Sequence, residues 1–153
     1  MENIEEADRM IKTADHMIYT TYPVIKDKRL LLKILSEIAI AVSKSIACIL
    51  QYDYVYEKIE LYKDPKRNFE TFKNKCAPDY GITQEEIKKI MDLLDLAERH
   101  KRSTMEFVKD DKIVIITDGM ESHIVTLEKI KEFIFLSKNL SKKIKNKVLR
   151  TTL

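Results

Sequence analysis

The stretch from Leu30 to Tyr62 contains neither glycine nor proline and places apolar residues on more than one side of a helix. Asp27 precedes it as a candidate N-cap, and the Asp64-Pro65 pair follows it as a break. A helix that is apolar on several sides has to be covered by neighbouring elements. The stretch therefore predicts the central helix of a bundle whose other elements pack around it.

Length and composition indicate one folded unit. The chain has 153 residues, of which 44% are apolar and 35% are charged, and this is enough for a core under a charged surface. We therefore predict a single helical-bundle domain over residues 1–153. The formal net charge of +3 argues neither for nor against a nucleic-acid partner.

The two cysteines and the apolar segments bear on the setting of the protein. Cys48 and Cys76 form no CxxC pair and no Cys/His cluster, so no disulfide framework or zinc site is predicted. The N-terminus is acidic and does not read as a signal peptide. The most apolar window carries Glu37 and Lys44, which is typical of a buried helix and not of a membrane span. We expect a cytoplasmic protein that does not associate with a membrane.

Flanking segments predict the other helices. The first helix should run from about Glu2 to Tyr19, stop at Pro23, and form a hairpin with the central helix across a short turn. Its apolar seam is Ile4, Ala7, Ile11, Ala14 and Ile18. After Asp64-Pro65 we expect a short helix or a pair of turns.

Two further helices have clear starts. Thr83 and Glu86 form a capping box, and the helix that follows should end near Arg102. Thr126 caps the last helix. The expected core stripe of the capping-box helix is Ile87, Ile90, Met91, Leu94 and Ala97.

The periodicity changes to that of strands between these two helices. Residues 105–108 and 112–117 flank the polar Lys109-Asp110-Asp111 as the two strands of a predicted β-hairpin, and 123–125 can add a third strand. The ribbon spans about 105–125. The fold class predicted is therefore mainly α: an up-down helical bundle of four to five helices, with a small β-hairpin or three-stranded ribbon inserted before the last helix.

Catalytic motifs are missing from the sequence. It has no GxGxxG, P-loop or HExxH pattern, and two glycines cannot build a glycine-rich phosphate loop. His16, His100 and His123 are scattered and have no evident partner in the sequence. We predict no catalytic residue, no metal ligand and no cofactor, and we expect a protein that is not an enzyme.

Two basic clusters are candidates for binding nucleic acid. One ends the capping-box helix, where cations also complement the helix dipole. The other follows Glu132, the last acidic residue, in a tail whose lysines could neutralise phosphates but which lacks aromatic residues for base stacking. The candidate residues are Arg99, His100, Lys101, Arg102, Lys142, Lys143, Lys145 and Lys147.

The arrangement of a helical hairpin, a short helix, a capped helix ending in Arg-His and a long basic helix resembles the HEPN superfamily of small helical domains. The resemblance implies a bundle that dimerises, with members that cleave RNA and others that serve only as interaction domains. Active members carry an Arg followed, after four to six residues, by a His. Arg9 and His16 have this spacing, but they lie in the first helix, so no catalytic role is carried over.

Two interpretations of function follow. The first is a non-catalytic interaction module, a homodimer that also binds another macromolecule, because the first-helix seam and Phe135 offer more apolar surface than one central helix covers. The alternative is an RNA-binding or RNA-processing protein that uses the basic C-terminal helix. A small-molecule pocket between helices stays open as a third possibility, lined by Tyr52, Tyr54, Tyr56 and Tyr62.

Overall fold

The computed structural model describes residues 2–152, with side chains from Asn3 to Arg150. It confirms a mainly α bundle with a small sheet before the last helix. The elements in chain order are α1 (Glu2–His16), α2 (Tyr22–Ile25), α3 (Arg29–Val55), α4 (Pro65–Thr71), α5 (Gln84–Lys101), β1 (Met105–Lys109), β2 (Lys112–Ile116), β3 (Ser122–Val125) and α6 (Leu127–Thr152).

Helix α3 is the centre of the bundle and contacts α1, α5 and α6. It forms the predicted antiparallel hairpin with α1. The Asn3 side chain donates to Gln51 at 3.4 Å, and the Lys44 ammonium lies 3.2 Å from the Glu6 carboxylate. Helix α6 covers the other side of α1, so the α1 seam is buried between two helices.

The first helix does not stop at Pro23, as its sequence predicted. Helix α1 passes into a π-turn at Met17–Thr21, and α2 then carries the chain to Ile25. In the π-turn the Tyr22 amide donates to the Met17 carbonyl, five residues back. The wider turn accommodates a proline, whose ring and missing N–H would disrupt a regular α-helix.

The central helix ends at Val55, earlier than the predicted Tyr62. Glu57 adopts a left-handed conformation with φ 58°. The Lys58 amide then donates to the Asp53 carbonyl at 2.9 Å, and the Glu57 amide donates to the Tyr54 carbonyl at 3.0 Å. These two bonds form a Schellman cap. Glutamate at the position usually held by glycine hides this cap from a sequence pattern.

Other predicted boundaries are confirmed. Asp64 caps α4 by accepting from the Lys66 amide, with Pro65 in the first turn. Thr83 and Glu86 form the capping box of α5. The Thr126 hydroxyl accepts from Lys129 at the start of α6. Local hydrogen-bonding chemistry therefore fixes these starts.

The buried stripe of α5 differs in part from the prediction. Leu93 and Leu96 are buried, whereas Leu94 is half-buried and Met91 is 46% exposed. The α5 face toward α3 and α6 is therefore rotated slightly from the expected one. Ile87, Ile90 and Ala97 are buried as predicted.

The three strands form an antiparallel sheet in the order β1-β2-β3. Asp110 and Asp111, with φ of 50° and 63°, make the tight turn between β1 and β2. Ile113 and Ile115 are buried and belong to the main core, so this face points toward the bundle. Side chains alternate along a strand. The inner face carries Glu106, Val108, Ile113, Ile115, His123 and Val125, and the outer face carries Met105, Phe107, Lys109, Lys112, Val114, Ile116, Ser122 and Ile124.

Candidate interaction surface

The basic end of α5 turns toward the sheet. The Arg99 guanidinium lies 2.9 Å from Asp95, 2.9 Å from Glu121 and 2.7 Å from His123 Nε2. A guanidinium can only donate, so His123 Nε2 accepts and the imidazole is neutral in this contact. Arg99 is thus occupied in joining α5 to β3.

His100 makes a matching contact with β1. Its Nδ1 is hydrogen-bonded to the Glu106 carboxylate, and both side chains are 24% exposed. Glu106 and His123 lie opposite Ile115 in the strand register. Arg99 and His100 of α5 therefore both contact this one row of the inner face. Lys101 and Arg102 remain exposed, although Arg102 lies 3.5 Å from Glu98. Two of the three histidines that looked scattered in the sequence therefore have partners: His100 contacts a carboxylate, and His123 contacts a guanidinium.

Most of the tail lysines also have partners, supplied by distant parts of the chain. Lys145 pairs with Asp8, and Lys143 pairs with Glu86 and donates to the Gly81 carbonyl at 2.8 Å. The other contacts are Lys138 with Asp15, and Lys147 with the Asp79 carbonyl at 3.2 Å and the Tyr80 ring at 5.4 Å. Lys142 is exposed.

The structure does not bring the two predicted basic clusters together. Lys143 contacts Glu86 in the first turn of α5, whereas Arg99 lies in the last turn of the same helix. Thirteen residues of α-helix separate these two positions by about 20 Å. The clusters are therefore at opposite ends of α5 and do not form one continuous surface.

Acidification should weaken the Glu86–Lys143 contact. Burial raises the pKa of Glu86, but hydrogen bonds from Lys143 and Thr83 outweigh it and hold the pKa below its ordinary value of 4.5. A carboxyl with a lowered pKa stabilises the fold above its unfolded-state pKa and loses this contribution as the pH falls through the folded-state value. We expect Glu86→Gln to cost about 1 kcal/mol at pH 7 and much less near pH 3, in urea unfolding.

Glu85→Gln is the matched control for this prediction. Glu85 lies in the same first turn of α5, but its side chain is 81% exposed and 3.8 Å from Lys89. Its replacement should change stability little at either pH. If the two variants showed equal losses with equal pH dependence, the helix dipole and not the Lys143 contact would explain the effect.

A groove of about 480 Å³ runs between α1 and α6. Lys12, Lys138, Lys142 and Lys145 line it, together with Asp8 and Asp15. Among the described residues, Lys12 and Lys142 have no acidic partner. The α1–α6 groove therefore contains two lysines whose positive charge no described carboxylate neutralises.

The apolar surface expected on α1 is not available. The seam from Ile4 to Ile18 is buried within the chain, so it cannot also support self-association. Phe135 on α6 is 66% exposed, as a single aromatic residue on a charged helix face. Arg9 and His16 are both exposed on α1.

The outer face of the sheet carries the apolar surface that α1 lacks. Its central row is Phe107, Val114 and Ile124, which lie opposite one another in the register. Phe107 is 40% exposed, Ile124 45% and the neighbouring Met105 58%. A groove of about 410 Å³ lies along this face, and Lys109 and Lys112 lie at its turn end. We call Met105, Phe107, Val114, Ile116 and Ile124 the outer patch.

An unbroken apolar run in β2 indicates this patch, although the assignment of strands did not use it. Residues Ile113–Ile116 are an unbroken apolar run. A half-exposed antiparallel strand alternates apolar and polar residues, whereas an unbroken run is typical of a strand covered on both faces. Only the inner face of β2 is covered by the described part of the chain.

A buried polar cluster lies where α3 ends. Asp53 is 1% exposed, and its Oδ1 accepts from the Tyr80 hydroxyl at 3.1 Å. Burial, followed by the Asp53 carboxylate, raises the pKa of the Cys76 thiol to about 12 and raises that of Tyr80 well above its ordinary value. Both groups therefore stay protonated near neutral pH, and the cluster holds the segment before α5 against α3.

The described residues do not form a tyrosine-lined pocket, a metal site or a membrane span. The four tyrosines do not gather around one pocket, because Tyr54 and Tyr56 are half-exposed and Tyr62 stacks on Arg67 at 3.8 Å. Among the described residues, no three His, Cys, Asp or Glu side chains are grouped as metal ligands. None of the described helices combines the length and apolar character needed to cross a membrane.

Comparisons with protein-family models, with characterised proteins and with solved structures found no match to this chain.

Proposed function

We propose that the protein is a non-catalytic interaction module of the cytoplasm, which self-associates and binds another protein through the outer patch. The supporting observation is that the sheet is apolar on both faces while the bundle covers one. Contiguous exposed apolar side chains on a folded chain mark sites of protein association. The polar clusters support this assignment, since Arg99, His100 and Asp53 are all engaged in internal contacts.

The alternative function, RNA binding by the C-terminal helix, has one observation in its favour. The α1–α6 groove holds four lysines against two aspartates. This is a small excess of charge for binding a phosphate backbone, which usually requires several unpaired cations. The outer patch is therefore the stronger basis for a function.

Site-specific photo-cross-linking can test the proposal. A photoreactive phenylalanine analogue replaces Ile124 on the outer patch or, as the control, Phe135 on α6, which is also exposed and apolar. In extracts of the source cells, we expect discrete cross-linked polypeptides from position 124 and only diffuse background from position 135. Equal patterns from the two positions would contradict a specific surface.

An RNA-binding measurement on the full chain distinguishes the alternative function. Labelled RNA that binds the full chain, with an affinity that falls steeply with salt, would favour nucleic-acid binding. That binding should then be lost in the Lys12→Glu, Lys142→Glu double variant. Protein cross-links without RNA binding would support the interaction module.

A further inference from the structure

We infer that one partner of the sheet is a second copy of this chain, joined edge to edge through β1 with Phe107 on the twofold axis. This inference rests on the proposed function and names a partner and a site for it. In the described part of the chain, β1 pairs with β2 alone and its other edge is open. An open edge strand is a template for pairing with another strand.

The turn geometry shows which backbone groups face the open edge. Lys109 pairs with Lys112 across the two-residue turn at Asp110-Asp111, and such a turn closes with a hydrogen bond from the Lys112 amide to the Lys109 carbonyl. Hydrogen-bonded and non-hydrogen-bonded pairs alternate along an antiparallel ladder. The main-chain amides and carbonyls of Lys109 and Phe107 therefore form hydrogen bonds with β2. Those of Glu106 and Val108 point away from β2, toward the open edge.

The sequence of β1 is complementary to itself in one antiparallel register. With Phe107 opposite its own copy, Glu106 faces Val108 and Met105 faces Lys109, so no like charges meet. Glu106 and Val108 of the two copies then exchange about four main-chain hydrogen bonds. Moving the twofold axis to residue 106 places Glu106 opposite its own copy, and moving it to residue 108 places Glu106 opposite Asp110. Each of these registers brings two carboxylates together.

The surroundings of β1 leave room for the second strand. Val108 belongs to the inner face, yet it is 55% exposed, so the bundle does not extend beneath this part of the edge. Pairing would also join the two rows of Phe107, Val114 and Ile124 into one apolar row across six strands. A single strand pair buries less than a standard interface, so we expect a dissociation constant in the micromolar range.

Cysteine cross-linking of the full chain tests the register. In the inferred dimer the two Phe107 Cα atoms lie about 4.5 Å apart, within the range of a disulfide. The two Met105 Cα atoms lie about 14 Å apart. Under mild oxidation at micromolar concentration, Phe107→Cys should form a disulfide-linked dimer at least about tenfold faster than the exposed control Met105→Cys. Cys48 and Cys76 are buried in the native chain, so they should not compete in the oxidation.

A second variant separates edge pairing from random collision. Val108→Pro removes an outward amide that β2 does not use, so the chain should keep its helical circular dichroism. Added to Phe107→Cys, it should reduce dimer formation to the Met105→Cys level, whereas Val108→Thr should not. Cross-linking that survives Val108→Pro, or equal rates for the two cysteine variants, would overturn the inference.

The outcome for the dimer is separate from the outcome for the proposed function. If Phe107→Cys stays monomeric while position 124 cross-links to other polypeptides, edge pairing is wrong and the interaction module stands. If position 124 gives only background and Phe107→Cys dimerises, the edge is the interface and the outer patch has no second partner. If neither position cross-links, both proposals are wrong.

Discussion

Replacing Phe72 with alanine is expected to lower the free energy of unfolding by about 3–5 kcal/mol. Phe72 is fully buried in the π-turn Phe72–Cys76 that follows α4, and its ring centroid lies 5.7 Å from that of Phe69. The loss combines the transfer free energy of the ring with the cavity that remains. An irregular turn anchored against α3 has little freedom to collapse into that cavity.

Phe135→Ala is the control for this variant. It makes the same chemical change on α6, where the ring is 66% exposed, and should alter stability by no more than about 0.5 kcal/mol. The measurement is urea unfolding at pH 7, with the midpoint compared at unchanged denaturant dependence. Similar small losses for the two variants would show that the segment after α4 contributes little to the core.

The second large effect is expected from Tyr80→Phe, at about 2–3 kcal/mol. This variant removes the hydroxyl that donates to Asp53 and leaves a carboxylate that is 1% exposed without that donor. A buried charged group that loses its partner costs more than the hydrogen bond itself contributes. Tyr80→Phe should therefore cost at least about 1 kcal/mol less in an Asp53→Asn background, measured by a double-mutant cycle.

Tyr22→Phe provides the comparison at another buried tyrosine. The Tyr22 hydroxyl accepts from Lys28 at 2.7 Å, and the Lys28 side chain is 22% exposed and can turn to water. The loss there should stay below about 1 kcal/mol. If Tyr80→Phe were as mild as Tyr22→Phe and independent of Asp53, the contact between Asp53 and Tyr80 would contribute little to stability.

Local chemistry made several boundaries predictable. The capping box at Thr83, the Asp64-Pro65 start and the Thr126 cap each use a side chain within three residues of the amide it satisfies. The ribbon was predictable because short segments rich in β-branched and aromatic residues flank a polar turn, a pattern distinct from that of a helix. These features depend on neighbours in the sequence and not on the tertiary fold.

Irregular backbone accounts for the two boundaries that the sequence misplaced. Pro23 lies within helical structure because a wide turn precedes it, and Glu57 ends α3 in a conformation more often adopted by glycine. Each residue keeps an uncommon environment that surrounding contacts support. Residue-type preferences describe averages, so they do not predict such positions.

The candidate sites were predictable only in part, because their partners are distant in sequence. The tail after Glu132 has no acidic residue of its own, yet Asp8, Asp15 and Glu86 pair with its lysines. These contacts depend on how α1 and α5 pack against α6. The outer patch was hidden for a related reason, since covering the inner face of β2 leaves half of an apolar run exposed.

The π-turn at Met17–Thr21 acts as a one-residue insertion in an otherwise continuous helix. The α1 seam advances by three and four residues, so a regular helix would place Thr21 next in the seam after Ile18. The extra residue gives that place to Tyr22, which is 6% exposed and holds Lys28 through its hydroxyl. A related chain that lacks this turn would need a single-residue gap in the alignment. Without that gap, the residues from the turn to Ile25 would be aligned with residues that lie about 100° away around the helix axis.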